Sequence, residues 1–401
     1  MKDGWVIRPL GDLCSIRPPK SEAKVRLKDS DLVSFLPMED LDIDNKHPVP
    51  RATRTLMDVE GSYTYFADGD VLLAKITPCF ENGKLGIASG LTNGCGFGSS
   101  EFFVIRPTAI LDTEYLYYFL SRASFRVEGA TSMGGAVGHQ RVTKEFIESY
   151  PVPVPPLPEQ QRIVAILDEA FEGLALATAN AEKNLKNAQD LFAGYLNSTF
   201  ERVDRNWVKK RLSELGRIQT GNTPKTSESG NLGTHIPFIK PGDFIPDGSL
   251  NYDNEGLSQL GLTNSRLISS GSALMVCIGA TIGKAGFTER DIAANQQINA
   301  ISPHPGVSGK FLYYYMTSSE FQSSVMSRSA QATLPIINKS KWSELEVALP
   351  TSFDEQQHIA SSLDQLGSES RALGRVQTKK LAVLDELKQS LLAKAFAGDL
   401  T

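Results

Sequence analysis

The stretch Gly279-Ala280-Thr281-Ile282-Gly283-Lys284-Ala285 has the ingredients of a loop that cradles phosphate: glycines that free backbone amides, and a lysine to meet the charge. It departs from that pattern twice, with three residues between the glycines where four are needed and alanine where Ser or Thr would hold a metal. A nucleotide site is therefore not expected there. Gly134-Gly135-Ala136-Val137-Gly138 lacks the spacing of a dinucleotide turn. Val154-Pro155-Pro156-Leu157 lacks the preceding Asn or Asp and the following aromatic residue of an amino-methyltransferase site, and reads as a rigid hinge. His47, His139, His235, His304 and His358 are scattered, none at metal-ligand spacing, and neither GxSxG nor HExxH occurs. No nucleophile, base or metal site emerges. What remains is a set of polar loops. Lys75, Thr77, Asn82 and Lys84 form one, and His139-Gln140-Arg141 lies before the prolines. The second half offers Lys240, Thr281, Lys284, Asn295-Gln296-Gln297, Arg328 and Gln331. Asn and Gln can pair bidentately with adenine, Arg or Lys with guanine, and Lys or Ser with phosphate. The same side chains also suit solvated loops or amide networks, and Asn295-Gln296-Gln297, following apolar Ile292-Ala293-Ala294, could brace a loop instead.

The elements that must position these loops are plainer. Between Glu159 and Glu201 there is no proline, and Ile163, Leu167, Ala170, Leu174, Ala177, Ala181, Leu185, Ala188, Phe192 and Leu196 recur at steps of three or four. Such spacing lines one face of a helix roughly 60 Å long, which needs an equally long partner. The partner lies in the same chain. Glu159-Gln160-Gln161 returns as Glu355-Gln356-Gln357, an offset of 355 − 159 = 196, and the offset carries Ile163 onto Ile359, Leu167-Asp168 onto Leu363-Asp364, Leu191 onto Leu387 and Phe200 onto Phe396.

The rest of the chain is duplicated too. Trp5-Val6 matches Trp207-Val208, and Gly69-Asp70-Val71-Leu72-Leu73 matches Gly271-Ser272-Ala273-Leu274-Met275, both at an offset of 202. Each apolar strand runs into a glycine loop ending in lysine, Lys84 or Lys284. Tyr115-Leu116-Tyr117-Tyr118-Phe119 matches Phe311-Leu312-Tyr313-Tyr314-Tyr315, an aromatic run suited to a helix packed on a sheet. Glu39-Asp40-Leu41-Asp42-Ile43 has no counterpart around Lys240-Pro241-Gly242-Asp243-Phe244. The framework repeats while the loops do not, as expected when two similar scaffolds recognise different things.

Composition sets outer bounds. The chain has 401 residues, 41% hydrophobic and 22% charged, those of an ordinary soluble protein. Cys14, Cys79, Cys95 and Cys277 form no CxxC pair, which argues for a reducing compartment. No signal-like leader and no run of eighteen apolar residues is present, so a cytoplasmic protein without membrane contact is expected. A net charge of −5 gives no global sign of a nucleic-acid partner, so any DNA surface must be local or completed by other subunits.

Taken together, the two proline-EQQ helical regions, DVLLAKITPCFENGKLG and IAANQQINAI resemble the specificity (S) subunit of Type I restriction–modification enzymes over nearly the whole chain. The resemblance implies an α/β (α+β) protein: target recognition domains at 1–150 and 204–348, and helical regions at 151–203 and 349–401 that pair antiparallel as an intramolecular coiled coil with pseudo-twofold symmetry. It further implies that each domain reads one half of a split site in double-stranded DNA, with the helices setting the spacing, and that the chain is itself non-catalytic. Two modification subunits that bind S-adenosylmethionine and methylate adenine would dock on it, and restriction subunits supplying ATP- and Mg-dependent translocation and cleavage would join through them. Glu159, Gln160, Gln161, Glu355, Gln356 and Gln357 would brace the domain–helix junctions or touch the modification subunits. The same reading role in a fused methylase–nuclease system, and a coiled-coil scaffold that binds no DNA, are the competing readings of these residues.

Overall fold

In a computed structural model, the structure describes residues 4–43, 45–136, 138–201, 206–225, 230–329 and 334–400. The chain divides into two compact units: unit 1 comprises 1–180 and 380–401, and unit 2 comprises 181–379.

Unit 1 is built around a four-stranded antiparallel sheet in the order Cys14–Ile16, Phe102–Pro107, Val71–Ala74, Leu85–Ile87. Its two central strands are apolar at Val71–Ala74 and from Phe102 to Ile105 because both faces are covered there. Val71, Leu73, Phe103 and Ile105 point into a core with the helix Thr113–Leu120, while the alternate residues Leu72, Ala74, Phe102 and Val104 meet Leu36, Leu41 and Phe66. Leu36 and Phe66 belong to a second sheet in the order Ala52–Thr55, Leu32–Leu36, Cys95–Gly98, Thr64–Ala67, in which Leu32–Leu36 and Cys95–Gly98 run parallel. Glycine is required at Gly96, where a Cβ would lie 2.2 Å from the Phe66 ring.

Unit 2 repeats the first sheet strand for strand: Gly216–Thr220, Ile298–Pro303, Ala273–Val276, Ala285–Phe287, all antiparallel. Ala273, Met275 and Ile301 face the helix Gly309–Thr317, and Leu274, Val276, Ile298 and Ala300 face Ile239, Phe244 and Leu250. The second sheet is repeated only in part, keeping one antiparallel and one parallel pairing. Here it has three strands, Gly256–Leu257, Leu232–Ile239 and Ala293–Ala294, with a register shift between Leu232 and Ile236.

The long helices span Leu157–Glu201 and Phe353–Ala397, 45 residues each. Within unit 1, Lys388 lies over the Phe171 ring and Arg162 Nη2 donates to Leu400 O at 2.6 Å. Within unit 2, Ser370 Oγ donates to Ala188 O at 2.8 Å, a Cβ on Gly374 would touch Leu185, and one on Gly367 would touch Phe192. In each unit residue numbers fall along one helix as they rise along the other, so the pairing is antiparallel, as the sequence leads one to expect. The apolar stripe is buried at Ile163, Leu167, Ala181, Ala188, Leu196 and Phe200, whereas Leu191 and Leu387 stay exposed. The Phe200–Phe396 match acquires a physical meaning. Phe396 packs edge-on against Tyr115 and Phe119 of unit 1 at 5.0 and 5.1 Å, and Phe200 packs against Phe311 and Tyr315 of unit 2 at 5.5 and 5.1 Å. Each unit thus takes the start of one long helix and the end of the other.

The proline-rich segment begins as a paired strand, ahead of Pro155 and Pro156. Pro151–Val154 is a strand paired antiparallel with Val6–Pro9, as Glu346–Pro350 pairs with Trp207–Arg211. The prolines oppose Ile7 and Pro9, which leaves the alternate amides of Val152 and Val154 for the two-stranded ladder. Trp5 is buried in the unit 1 core, and Trp207 is half-buried with its Nε1 donating to Glu355 at 3.4 Å.

Candidate nucleic-acid interface

Three chain segments converge at the same place in each unit. In unit 1, Lys75 N donates to Glu101 O (2.9 Å), Val142 N to Lys75 O (2.9 Å) and Thr77 N to Gln140 O (2.9 Å). In unit 2 the corresponding bonds are Cys277 N to Gln297 O (2.7 Å), Ile337 N to Cys277 O (3.0 Å) and Gly279 N to Pro335 O (3.0 Å). The hairpins that lead in also match, with Ala74 N donating to Lys84 O and Val276 N to Lys284 O. This main-chain frame makes Lys75 equivalent to Cys277, Thr77 to Gly279, Glu101 to Gln297 and Arg141 to Ile336.

The side chains on that frame differ in kind. Arg141 grips Glu101 through Nε and Nη2, both at 2.9 Å, and its Nη1 donates to His139 O at 3.0 Å. Lys75 Nζ donates to Ser100 O at 2.8 Å and stands 3.8 Å from Glu101. Arg17, exposed and held at φ 61°, has its amide bonded to Val104 O and lies near the Phe103 ring, as does Lys75. The Arg141 hydrogen bonds hold the Glu101 carboxyl below its usual pKa. Burial, with Arg17 and Arg141 nearby, lowers that of Lys75. In unit 2 the frame carries a buried thiol, an amide and an aliphatic chain. Asn295 Nδ2 donates to Gln297 Oε1 (3.0 Å), Gln297 N to Asn295 Oδ1 (3.1 Å), and Thr223 Oγ1 to Gln296 Oε1 (2.6 Å). Asn295 is buried, Gln297 half-buried and Gln296 exposed. Gly221 has to be glycine because a Cβ there would meet Asn295 O at 2.2 Å.

The remaining sequence candidates fall around these clusters. Thr77 Oγ1 donates to Glu81 (2.7 Å), Asn82 is exposed in the turn, and Lys84 Nζ donates to Met38 O (2.9 Å). His139 is exposed and Gln140 half-buried. Lys240 pairs with Glu255 at 2.6 Å, next to Ile239, whose carbonyl accepts from Asn295 N. Thr281 is half-buried and Lys284 exposed. Arg328 is exposed at a helix end, its Nη1 3.3 Å from Glu344 O, and Gln331 lies outside the described residues. Sequence reasoning missed Arg17, Glu101, Thr223 and Ile336. A charged or polar residue just outside an apolar strand was the available signal for the first three.

The Glu-Gln-Gln triplets divide by position. Gln160 is fully buried; its Oε1 accepts from Asp112 N (2.8 Å) and its Nε2 donates to Ile110 O (3.0 Å) and Pro155 O (2.8 Å). Gln356 does the same in unit 2, with Ser308 N (2.9 Å), Gly306 O (3.4 Å) and Pro350 O (2.9 Å). Glu159 pairs with Arg162 at 2.8 Å, Glu355 accepts from Asn206 at 2.9 Å, and Gln161 and Gln357 are exposed. Tyr118 OH donates to Asp168 in unit 1, and Tyr314 OH to Asp364 at 2.7 Å in unit 2, so a second contact tying the domain to its helix is duplicated as well.

Among the described residues no three His, Cys, Asp or Glu side chains cluster as a metal site, and no helix is long and apolar enough to cross a membrane. The fold and the twin loop clusters define a duplicated α/β protein built on paired long helices. The chain belongs to the family of the Type I restriction modification DNA specificity domain, whose pattern it matches twice, at residues 2–187 and 204–381. It is 31% identical over 283 residues to the EcoAI Type I restriction enzyme specificity subunit of Escherichia coli, covering 68% of this chain and 46% of that protein. It is 33% identical over 220 residues to the EcoEI specificity subunit of the same organism, covering 52% and 36%. The chain thus spans less than half the length of these curated relatives. Among solved structures, a chain from a study of complex assembly and conformational transition of the type I R-M system superposes with a TM-score of 0.80 at 23% identity, covering 100% of this chain and 99% of that one. The HsdS subunit of Thermoanaerobacter tengcongensis gives 0.61 at 22%, covering 99% and 98%. At these identities the likeness is one of fold.

Proposed function

We propose that this chain is the DNA-reading specificity subunit of a Type I restriction–modification assembly, each unit reading one half of a bipartite target and the helix pair setting the distance between halves. The observation that carries this reading is the shared main-chain frame with unlike side chains: Lys75, Glu101 and Arg141 in unit 1, Cys277, Gln297 and Ile336 in unit 2. Cationic forks suit guanine edges and phosphates, and aliphatic chains suit the thymine methyl. Two unlike readers imply an asymmetric split site. Lys75, Thr77, Asn82, Lys84 and the His139–Arg141 loop line the first reader in this proposal, and Lys240, Thr281, Lys284, the Asn295–Gln297 loop and Arg328 the second. The helices and the exposed Gln161 and Gln357 face two modification subunits. S-adenosylmethionine belongs to those subunits, and ATP and magnesium to the restriction subunits that join through them. The chain itself carries out no chemical step.

The test is co-expression with the cognate modification subunits, followed by mapping of methylated adenines across the host genome. Methylation at a two-part sequence of fixed gap is expected, and methylation at one uninterrupted sequence refutes the reading. Inserting one or two heptads after Asn184, with the matching insertion beside Gly374, lengthens the gap and leaves both half-sequences unchanged. An unchanged gap would show that the helices do not set it.

A further inference from the structure

Glu101 sits where the cations of unit 1 converge. Arg141 holds it with two parallel bonds of 2.9 Å, Lys75 lies 3.8 Å away, and Arg17 stands close enough to Lys75 to depress its pKa. The Glu101 side chain is 24% exposed and that of Arg141 45%, so the carboxylate is partly sheltered while the guanidinium stays open to a competing partner. The fork-to-fork geometry is the one a guanidinium offers to a phosphate or to the edge of guanine. A carboxylate occurs on this frame only where the cations occur: unit 2 has Gln297 in its place, with Cys277 and Ile336 for Lys75 and Arg141.

We propose that Glu101 is a positioning residue for specificity in unit 1: it occupies the guanidinium of Arg141 so that a matching bidentate acceptor on a base edge displaces it, while stray phosphates do not. This rests on the reading of unit 1 as a DNA reader. A free Arg141 beside Lys75 and Arg17 would add sequence-independent affinity, because each cation that neutralises a phosphate strengthens binding to any duplex. The carboxylate removes that contribution from wrong sequences and returns it only when the correct base competes for the fork.

The test uses the full chain assembled with its modification subunits and a duplex of random sequence, titrated between low and moderate salt. Glu101→Gln, which keeps shape and removes charge, should tighten random-duplex binding about tenfold at low salt and steepen the log K against log salt slope by about 1–2. Mapped methylation should then relax in one half-site and stay intact in the other, and Glu101→Asp, which restores the charge, should return the slope toward the wild-type value. Arg141→Gln tests the other partner. It should lose base preference in that same half-site and leave the other half-site intact. Unchanged slope and unchanged half-sites in Glu101→Gln, relaxation of both half-sites, or base preference retained in that half-site by Arg141→Gln would each overturn the proposal. Failure of the wild-type assembly to methylate a split site would instead overturn the DNA reading and take this inference with it, so the two failures are told apart by the wild-type arm.

Discussion

Replacing the ion pair Asp70–Arg106 by the pair of serines found in unit 2 should be less damaging than removing Arg106 alone. Arg106 grips Asp70 through Nε at 2.6 Å and Nη2 at 2.7 Å and reaches Glu22 with Nη1 at 2.6 Å. The Asp70 side chain is fully buried, whereas that of Arg106 keeps 30% exposure. At the matching places of unit 2, Ser272 and Ser302 share a hydrogen bond of 2.8 Å. Arg106→Ser leaves a buried carboxylate with the Ala67 amide at 2.8 Å as its remaining hydrogen bond, and removal of a buried ionic partner costs about 3–5 kcal/mol. Asp70→Ser leaves a cation that still has Glu22 and solvent, so its cost should be nearer 1–2 kcal/mol. The double replacement removes both charges together and supplies two hydroxyls. It should cost about 1–3 kcal/mol, which requires a coupling of at least about 1 kcal/mol between the sites. Denaturant unfolding of the four proteins of the cycle, followed by near-ultraviolet signals, measures this. Additive losses, or an Arg106→Ser loss below about 1 kcal/mol, would refute the view that the unpaired carboxylate dominates.

Other consequences follow from the junctions, the helix ends and the thiols. Gln160→Ala removes three bonds to buried backbone groups and should cost about 3–5 kcal/mol, against less than about 0.5 for exposed Gln161→Ala; chemical denaturation of both variants distinguishes them. Phe396→Ala, which empties the aromatic pocket formed with Tyr115 and Phe119, should destabilise unit 1 by about 3–5 kcal/mol, with hydrogen exchange rising there first. Burial pushes the thiols of Cys14 and Cys277 up to about 12 and of Cys95 up to about 11. They stay protonated in the folded chain, so the stability they contribute is present below the unfolded thiol pKa and is lost as pH rises above it towards 11–12. Native-state alkylation near pH 8 should accordingly reach half-buried Cys79 first, and rapid labelling of Cys277 would contradict this.

The framework could be read from the chain because duplication makes position comparable. The offsets of 202 and 196 locate matched strands and helices, and helical periodicity marks the long elements and their buried stripe. The clusters resisted because they are assembled from distant segments: residues 17, 75, 101 and 141 meet only through sheet register, which side-chain spacing does not encode. Glu101 and Gln297 are aligned by the second offset, yet what they hold depends on Arg141 and Ile336, whose segment matches at neither. Asp70 was visible opposite Ser272, but its partner Arg106 was not, since cross-strand pairing joins them. The prolines misled in another way. Their missing amides argue against a ladder, but alternation places Pro151 and Pro153 on one side of a two-stranded ladder that tolerates them, and only Pro155 and Pro156 lie beyond it.

The bonds that shape both reading clusters run between main-chain atoms, which every residue except proline supplies in full. Exchanging an arginine for an isoleucine at the rim therefore leaves the scaffold's own cohesion almost untouched. On the proposed reading of these loops, a gene lineage built this way can acquire a new address on the chromosome by substitutions at a few outward positions, without passing through an unfolded ancestor, and each half of the address can drift alone.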